Sequence, residues 1–386
     1  MVTEGTRGDG MRRANLSLVL RTVHRDGPRS RAALTEATGL NRSTIADLVG
    51  ELQRSGLVVE RASDAQGRVG RPSPIVAPDP RVVAIAVNPE VDALDVAAVG
   101  LDGAIVVRER IEQRTLLTPE RTAAIVAERL AAWTEGPLAE HRVVGSGVAV
   151  PGPVRASDGV VREAPHLGWA EARIGAMLQD ATGAPVHVGN DAALGALAEY
   201  LFGAARGSHD VVYLNGGASG IGGAVIVGGA LLGGAGGYAG EFGQNRPGIV
   251  DPGDRRADDG VLEDEVSRAL LLEAVGLEAG DDRALAHALT ASEDPAVRAE
   301  TDRQRRILAT ALANAANVMN PAVIVLGGFL AILADLDLPG LDAAVRAQTM
   351  PACAEDLRLA AAELGEKRLL VGAAEAVFEA ALFPAR

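Results

Sequence analysis

The chain has 386 residues, of which 48% are hydrophobic but only 3% are aromatic, and its formal net charge is −14. This length allows two or three domains, whose cores must be built mainly from alanine, valine and leucine. Because apolar runs stay far below the roughly 18–20 residues of a membrane span and residues 1–10 lack a signal-peptide core, we expect a cytoplasmic protein rather than a membrane or exported one.

The cysteine content and the charge distribution narrow the class of protein further. Cys353 is the only cysteine, which excludes an internal disulfide and a cysteine-cluster metal site, so we interpret it as a small buried hydrophobic residue. Residues 1–77 contain 12 arginines against 8 acidic residues, whereas the remainder is strongly acidic. This asymmetry indicates a nucleic-acid-binding arm on a sensor or an enzyme.

Three short helices are predicted in the basic segment, after a disordered tail at residues 1–10. The first helix covers residues 11–25, Ser30 caps the second, and Asn41 caps a third at residues 42–54. The apolar positions of the third helix recur at helical spacing and predict its buried face: Ile45, Leu48, Val49 and Leu52.

A hairpin with a basic tip is predicted to follow the third helix. Its strands lie at residues 57–61 and 74–77, and the loop QGRVGRP at residues 66–72 joins them. Together with the three helices, this hairpin predicts a winged helix-turn-helix DNA-binding domain over residues 11–77. A winged helix that contacts protein, or three ordinary helices, are the alternatives.

The outward face of the third helix is the predicted base-reading surface, because its N-terminal residues can enter the major groove. Asp47 on this face would repel phosphate but could accept from a cytosine amine. The start of the second helix could hold a phosphate through backbone amides, and the wing arginines would meet phosphate or the minor groove. The predicted DNA-binding residues are Ser30, Arg31, Arg42, Ser43, Thr44, Asp47, Arg68 and Arg71.

Beyond a proline-broken linker, a larger domain is predicted over residues 78–386. Strand–turn–strand units open each of its halves and alternating helices and strands follow, including a helix at residues 169–180. This pattern indicates a duplicated α/β architecture with a cleft between two lobes. The lobes are placed at residues 78–190 together with the C-terminal helix, and at residues 191–370.

The most glycine-rich stretch, residues 211–244, lies in the second half. Two apolar runs flank a Gly/Asn/Ser loop, and a second glycine-rich passage then leads to Glu241 and Gln244. Such glycines let the backbone adopt positive φ and approach a ligand closely, as in hairpins that hold nucleotide phosphates. A plain hairpin with tight turns is the alternative.

Five motifs in order resemble the ROK family of sugar kinases and sugar-responsive transcription regulators. Residues 11–60 resemble the operator-binding domain of the regulators. The other motifs are GVAVPGPV at residues 147–154, GNDAALGALAE at 189–199, GYAGEFGQ at 237–244 and NPAVIVLGG at 320–328. The resemblance implies an α/β chain in which a winged helix-turn-helix precedes a two-lobed, duplicated actin/hexokinase-like (ribonuclease H-like) domain.

Two departures from the family pattern argue against an enzyme and against a metal site. Where the kinases have an Asp-x-Gly-Gly-Thr phosphate loop, this chain has Asn88-Pro89-Glu90; Pro89 has no amide to donate and Glu90 would repel phosphate. Where the family binds zinc through one histidine and three cysteines, the corresponding residues are Gln244, Asp254, Arg256 and Val261. We therefore expect no catalysis, no metal and no cofactor.

The sugar site that the resemblance implies is better preserved. Asn190 and Asp191 match the family's Asn-Asp pair, in which the Asp is the general base of the kinases. Charged acceptors suit a polyol, and Gln244 can replace the contact of a histidine. For single residues, a helix cap at Asp191 or a solvated His166 are the alternatives. The predicted ligand-binding residues are Asn190, Asp191, Glu241, Gln244, Glu263 and His166.

Together these features predict a DNA-binding transcription regulator, a repressor by default, whose kinase-like domain senses a small sugar or sugar derivative. A homodimer or homotetramer is expected, in which ligand binding closes the lobes and changes the spacing of two DNA-binding domains. The alternatives are an ATP-dependent sugar kinase that also binds DNA and a scaffold that needs no ligand.

Overall fold

The structure is a computed structural model that describes residues 4–62, 74–278 and 280–383. The chain forms two compact units, each with its own five-stranded sheet. The first unit comprises Met1–Val148, Ile174–His187 and Ala373–Arg386, and the second comprises Ala149–Arg173 and Val188–Gly372. Among the described residues no helix is long and apolar enough to cross a membrane.

The N-terminal part of the first unit is a winged helix-turn-helix. Its elements are α1 (Glu4–Asp26), β1 (Arg29–Ser30), α2 (Arg31–Thr38), α3 (Arg42–Arg54), β2 (Val58–Arg61) and β3 (Ile75–Pro78). The three strands form an antiparallel sheet in the order β1-β3-β2. The tip of the wing, with the predicted DNA-binding residues Arg68 and Arg71, lies outside the described residues.

The caps and the apolar stripe predicted for this domain are confirmed. The Ser30 hydroxyl accepts from the amide of Ala33 at 3.1 Å, and Asn41 Oδ1 accepts from the amide of Thr44 at 2.9 Å. Each cap satisfies an amide that the first turn of its helix leaves without a partner. The buried residues of α3 are the four predicted ones: Ile45, Leu48, Val49 and Leu52.

The predicted tail at residues 1–10 is wrong for most of its length, since α1 begins at Glu4. Three glycines in residues 5–10 disfavour helix and led to that prediction. Once the apolar stripe further along has nucleated the helix, however, each added residue contributes a hydrogen bond at little further cost.

The rest of the first unit is built around a mixed sheet in the order β10-β7-β4-β5-β6. The elements in this part of the chain are β4 (Val82–Pro89), β5 (Ala93–Gly100), β6 (Ile105–Glu112), α4 (Pro119–Thr134) and β7 (Arg142–Val150). β4 pairs antiparallel with β5 and parallel with β7. Every residue of β4 and β5 is buried, so this central pair forms the core of the sheet.

The next segment contains a hairpin where a helix was predicted at residues 169–180. Its elements are β8 (Val161–Ala164), β9 (Trp169–Ala172), α5 (Ile174–Thr182), β10 (Val186–Asn190) and α6 (Asp191–Phe202). β9 pairs antiparallel with β8, and the helix starts only at Ile174. Trp169 and Ala172 are buried, whereas the two residues between them are exposed. Apolar positions three residues apart also fit one face of a helix, and a helix was therefore predicted here.

The second unit contains the other mixed sheet, in the order β13-β12-β11-β14-β15. Its strands are β11 (Val211–Gly217), β12 (Gly220–Val227), β13 (Ala230–Leu231), β14 (Val323–Gly328) and β15 (Arg358–Ala361). Its helices are α7 (Leu262–Glu265), α8 (Arg268–Ala274), α9 (Asp282–Ala291), α10 (Pro295–Met319), α11 (Phe329–Asp335), α12 (Leu338–Gln348) and α13 (Pro351–Ala354). The last helix of the chain, α14, spans Arg368–Leu382.

In this second sheet the carboxyl ends of β11 and β14 lie side by side, because the two strands are parallel and pair Gly216 with Gly328. The core beneath the sheet is mostly aliphatic but includes Phe329, and it is formed largely by α10, α11 and the strands. Cys353 is buried and free, as predicted.

Within the first unit, α1 packs on the part of α14 that follows Ala373. Glu379 forms ion pairs with Arg21 at 2.5 Å and with Arg25 at 2.8 Å. His24 lies deeper: its Nδ1 is 2.6 Å from the carbonyl oxygen of Leu101 and its Nε2 is 2.9 Å from Glu375 Oε2. The first helix of the DNA-binding domain is therefore tied to the sheet and to the C-terminal helix by polar contacts.

Candidate functional site

The N-terminal end of α3 presents an exposed polar surface. Arg42, Ser43 and Asp47 are exposed and Thr44 is half-buried, as expected for residues opposite the buried stripe. Ser43 Oγ donates to Asn41 Oδ1 at 2.7 Å, so the capping residue also orients this serine. The side chains of this helix end are thus available to base edges in a major groove.

The two predicted phosphate-contacting residues at the start of α2 already have protein partners. The Ser30 hydroxyl caps α2, and Arg31 Nε donates to Glu60 Oε1 on β2 at 2.5 Å. Because Glu60 offsets the charge of Arg31, this arginine is a weaker phosphate anchor than an unpaired one. Their role in DNA binding stays a prediction.

In the second unit, the two glycine-rich passages pack directly against each other. A Cβ atom at Gly240 would lie 2.5 Å from the carbonyl oxygen of Gly223, and one at Gly223 would lie 2.6 Å from that of Gly240. Gly240 also has φ +102°, which side-chain-bearing residues rarely adopt. The glycines therefore allow β12 and the segment before Glu241 to approach within backbone contact.

Replacing Gly240 by alanine is expected to destabilise the protein by at least about 2 kcal/mol, because positive-φ strain adds to a backbone collision. Gly207→Ala is the matched control: Gly207 has φ +82°, and a Cβ there would meet nothing within 4 Å. Denaturant melts of both variants separate strain from close packing. Equal losses for the two variants would contradict the close-packing role.

Asn190 and Asp191 lie at the junction of β10 and α6. Asn190 Oδ1 accepts from the amide of Ala193 at 3.0 Å, so Asn190, and not Asp191, caps α6. Its Nδ2 donates to the carbonyl of Gly152 at 3.1 Å and to Asp191 Oδ1 at 3.2 Å. The helix-cap alternative for Asp191 is therefore wrong, although Asp191 Oδ1 also accepts from the amide of Ala192 at 2.8 Å.

The carboxyl group of Asp191 is electrostatically unusual. Burial raises its pKa from 3.8 to about 6; the amide of Ala192 and the charge of Arg368 act against this rise, and the charge of Glu241 adds to it. A carboxyl group with this pKa changes charge near neutral pH, which is typical of functional sites. Asp191 and Glu241 are thus close enough to influence each other.

Glu263 is held at the start of α7 and lies beside the glycine-rich hairpin. Its Oε2 accepts from the amide of Ile221 at 3.0 Å, and its Oε1 accepts from Gln244 Nε2 at 2.6 Å. A Cβ atom at Gly220 or at Gly243 would collide with Oε2. These two glycines therefore create the space that the carboxylate occupies.

Glu241 completes the acidic group. Partial burial raises the pKa of its carboxyl, and the charge of Glu263 raises it further. Five of the six predicted ligand-binding residues therefore form one hydrogen-bonded or electrostatically coupled group within the second unit, here called the acceptor group: Asn190, Asp191, Glu241, Gln244 and Glu263.

His166 is not joined to the acceptor group by any hydrogen bond among the described residues. It lies on an exposed turn of 3₁₀ helix, Pro165–Leu167, between β8 and β9. The structure brings the other five predicted residues together but leaves the role of His166 as a prediction.

Arg368 is a site residue that sequence reasoning missed. Its Nε donates to Asn215 Oδ1 at 3.1 Å and its Nη1 to the carbonyl of Gly365 at 2.9 Å, and its charge lowers the pKa of Asp191. The buried Glu199 fixes the preceding segment by accepting from the amide of Leu364 at 2.9 Å. Glu199 ends the GNDAALGALAE motif, which was the one available signal, whereas no motif marks Arg368.

The turn Asn88-Pro89-Glu90, at the position where the resemblance implies a phosphate loop, lies in the first unit and is acidic. Glu90 accepts from Asn88 Nδ2 at 2.8 Å and pairs with Arg110 at 2.6 Å. Arg110 also contacts Asp92 at 3.3 Å and Glu112 at 3.2 Å. This arginine is surrounded by three carboxylates, so the turn offers no net positive charge to a phosphate.

The residues at the positions that the resemblance assigns to zinc ligands do not fit that metal. Gln244 is bonded to Glu263, Asp254 pairs with Arg306 at 2.9 Å, and the Arg256 side chain reaches Glu300 at 3.3 Å. In the described part of the chain no group of three or more His, Cys, Asp or Glu side chains is arranged to hold a metal ion.

Comparisons with known proteins match the DNA-binding domain and the larger domain of the chain to two different families. The sequence profile of the ROK family matches residues 84–380, and that of the MarR family matches residues 15–69. The xylose repressor of Bacillus spizizenii (strain ATCC 23059 / NRRL B-14472 / W23) is 29% identical over 234 residues, and the match spans only 60% of this chain and 60% of that repressor.

Two further relatives match almost the full length. The DNA-binding transcriptional repressor Mlc of Escherichia coli (strain K12) is 25% identical over 397 aligned positions, covering 97% of this chain and 96% of Mlc. The crystal structure of a ROK family transcriptional regulator, described as a homolog of E. coli MLC, has a TM-score of 0.75 at 23% identity and covers 97% of both chains. That structure shares the fold of both parts of this chain.

Proposed function

Because the chain belongs to the ROK family and carries a winged helix-turn-helix ahead of the family domain, we propose that it is a sequence-specific DNA-binding transcriptional repressor controlled by a small carbohydrate. The observation that carries the proposal is that one chain joins an exposed recognition surface on α3 to the acceptor group in the second unit. The names of the relatives, xylose repressor and DNA-binding transcriptional repressor Mlc, support the same function.

The chemistry of the acceptor group suits a polyhydroxyl compound. Asp191, Glu241 and Glu263 supply carboxylate oxygens, each of which accepts strongly from a hydroxyl donor. Gln244 adds a side chain that can both donate and accept. A monosaccharide presents hydroxyl groups in several directions, so it can satisfy these acceptors together. Because the name of one relative contains xylose, D-xylose is the first ligand to test, and D-glucose tests whether an added hydroxymethyl group is accepted.

We further propose that the chain does not transfer phosphate from ATP. Phosphoryl transfer depends on positioned donors and cations around the phosphates. At the first phosphate loop this chain offers Pro89, which lacks an amide proton, and the Glu90 carboxylate, which Arg110 only neutralises. Such a turn gives no stabilisation to a triphosphate.

A sugar kinase that also binds DNA is the second candidate, because a carboxyl group with a pKa of about 6 is well placed to act as a general base near neutral pH. The two candidates differ in ATP turnover. Sugar-stimulated ADP release that Asp191→Asn abolishes would establish the kinase. We expect no sugar-stimulated release above background.

The proposal is tested by thermal-shift screening of the full-length protein with a panel of monosaccharides, followed by DNA binding. Duplexes selected by the purified protein from a random pool provide the operator. We expect one sugar to raise the melting temperature and to lower the operator affinity. If no sugar changes either quantity, the chain is a ligand-independent DNA-binding protein and the sensing part of the proposal is wrong.

Arg42→Ala is expected to weaken operator binding by about 1–3 kcal/mol, because an exposed arginine at the start of a recognition helix can donate twice to a guanine edge. Arg283→Ala, at an exposed position of α9 in the second unit, removes the same charge and is expected to leave binding unchanged. Fluorescence anisotropy at several salt concentrations measures both. Unchanged affinity and base preference for Arg42→Ala would show that α3 is not the recognition helix.

We also propose that the repressor acts as a homodimer or homotetramer. Operators of helix-turn-helix proteins commonly consist of two half-sites about one helical turn apart, so binding needs two DNA-binding domains at matched spacing. A ligand that changes this spacing by a small rigid-body movement releases the DNA. Mass measurements in solution, with and without the sugar, test the oligomeric state.

A further inference from the structure

The segment that follows Gln244 is anchored by a buried arginine. Arg303 projects from α10, and only 2% of its side chain is exposed. Its partner Glu265, the last residue of α7, is fully buried at 0% exposure. A buried charge pair is costly unless hydrogen bonds satisfy its remaining donors and acceptors.

All five N–H groups of the Arg303 guanidinium have an acceptor. Nε donates to Glu300 Oε2 at 2.9 Å, and Nη2 donates to Glu300 Oε1 and to the carbonyl of Glu265, both at 2.7 Å. Nη1 donates to the carbonyl of Asp254 at 2.7 Å and to Glu265 Oε2 at 3.1 Å. Arginine alone offers five donors in one plane, so lysine cannot reproduce this set.

Glu265 binds the same segment from the other side. Its carboxylate accepts from the backbone amide of Arg256 at 2.9 Å and from that of Ala257 at 3.1 Å. The side chains of Arg303 and Glu265 therefore contact three consecutive peptide groups of the loop, through the carbonyl of Asp254 and the amides of Arg256 and Ala257. The contacts are to main-chain atoms, so they fix the path of the loop itself.

Through Glu265, the same pair lies close in the chain to residues that contribute to the acceptor group. Glu265 lies two positions after Glu263 in the single turn of α7, and the amide of Leu262 donates to the carbonyl of Asn245 at 2.8 Å. Gln244 and Glu263 are joined by their side chains at 2.6 Å. A movement of the loop that shifts α7 would therefore change how Gln244 and Glu263 face a ligand.

We propose that the Arg303–Glu265 pair, in place of a metal ion, fixes the backbone path of residues 246–261; this is here called the fastening role. By doing so the pair positions Glu263 and Gln244 for the ligand, which is here called the positioning role. The positioning role rests on the proposed sugar-binding function. The fastening role does not, because it concerns only the path of the loop. Arg303 and Glu265 are positioning residues that do not themselves touch the ligand.

The fastening role is tested by limited trypsin digestion of the full-length protein without ligand. Trypsin can cut the loop after Arg255 and Arg256, whereas the bond after Arg246 precedes Pro247 and resists trypsin. Mass spectrometry locates the cuts. We expect Arg303→Met to increase the rate of these cuts at least tenfold. Arg305→Met is the matched control, because Arg305 lies on the same helix and pairs with Asp302 of that helix.

Wild-type protein treated with EDTA is expected to keep its slow loop cleavage, and protein purified without added metal is expected to contain no stoichiometric zinc by elemental analysis. Faster loop cleavage after EDTA, stoichiometric zinc, or cleavage of Arg303→Met at the wild-type rate would each overturn the proposal.

The positioning role is tested by a double variant. In Arg303→Met/Glu265→Met the two buried charges are replaced together, and we expect the melting temperature to recover most of what Arg303→Met loses. The loop backbone still lacks its partners, so the affinity for D-xylose or D-glucose, whichever the wild type binds, is expected to stay at least tenfold below that of the wild type. Recovery of affinity together with stability would reduce the pair to a structural role.

The two proposals fail in different ways. If the wild type binds neither sugar by calorimetry, the sugar-sensing function fails for these ligands, while the trypsin and EDTA results still decide whether the pair fastens the loop. If the wild type binds a sugar and the double variant binds it equally well, the positioning role is wrong and the sensing function stands.

Discussion

Replacing Glu375 by alanine is expected to lower the free energy of unfolding by about 3–5 kcal/mol, because it leaves a buried charge without its partner. The His24 and Glu375 side chains are only 1% and 2% exposed. Both ring nitrogens of His24 face acceptors, the Leu101 carbonyl and the Glu375 carboxylate. Only the doubly protonated imidazolium can donate to both at once.

The control lies one turn further along α14. Glu379 pairs with Arg21 and Arg25, but these side chains are 28–33% exposed, so Glu379→Ala is expected to cost no more than about 1 kcal/mol. Chemical denaturation of both variants measures the two losses. A loss for Glu375→Ala as small as that for Glu379→Ala would show that the buried pair contributes little.

The same pair predicts how stability depends on pH. Burial by itself lowers the pKa of His24 and Arg25 acts in the same direction, but the charge and hydrogen bond of Glu375, with the Leu101 carbonyl, outweigh them and raise the pKa above 6.5. Protonated His24 therefore stabilises the fold fully below pH 6.5. This stabilisation is lost as the pH rises through the higher pKa that His24 has in the folded state.

We therefore expect the wild type to lose stability between pH 6.5 and the higher folded-state pKa of His24, and Glu375→Gln to lose less over the same interval. Urea denaturation of both proteins at a series of pH values measures this. Parallel pH profiles for the two proteins would show that His24 does not titrate in this range.

Asp191→Asn is expected to weaken sugar binding about 100-fold while making the unliganded protein more stable at pH 7. The loss of affinity follows from removing a charged acceptor, whose hydrogen bonds contribute about 1.5–3 kcal/mol each. The gain in stability follows from the pKa: burial raises it from 3.8 to about 6, so the folded chain loses stability as the pH rises through this interval. The neutral amide avoids that cost, which is about 1–3 kcal/mol.

Two measurements check these expectations: calorimetric titration with the sugar identified by screening, and denaturant melts at pH 7. Wild-type affinity is also expected to fall as the pH drops below about 6, since Asp191 then becomes protonated. Asp180→Asn, at an exposed position of α5, removes the same charge and is expected to change neither quantity. If Asp191→Asn is less stable than the wild type, the fold stabilises the ionised carboxylate of Asp191 and does not destabilise it.

Local signals in the sequence were sufficient for the helix caps and the buried face of α3 in the DNA-binding domain, but not for the start of α1 at Glu4. Ser30 and Asn41 precede apolar stripes at helical spacing, so both caps and the buried face of α3 could be predicted from nearest neighbours along the chain. Residues 169–180 show the limit of that approach. Their apolar positions fit a helix, but Trp169–Ala172 pairs with Val161–Ala164, a partner that periodicity does not reveal.

The winged helix-turn-helix, the family resemblance and the five members of the acceptor group could be predicted from the sequence, because caps, turns and contiguous motifs depend on neighbouring residues. The residues that support the acceptor group could be identified only from the folded chain. Arg368 approaches Asp191, Glu199 fixes the segment before Arg368, and Arg303 pairs with Glu265, which lies 38 positions before it along the chain. Such partners meet only when distant elements pack together, and an isolated arginine carries no sign of the carboxylate it will meet.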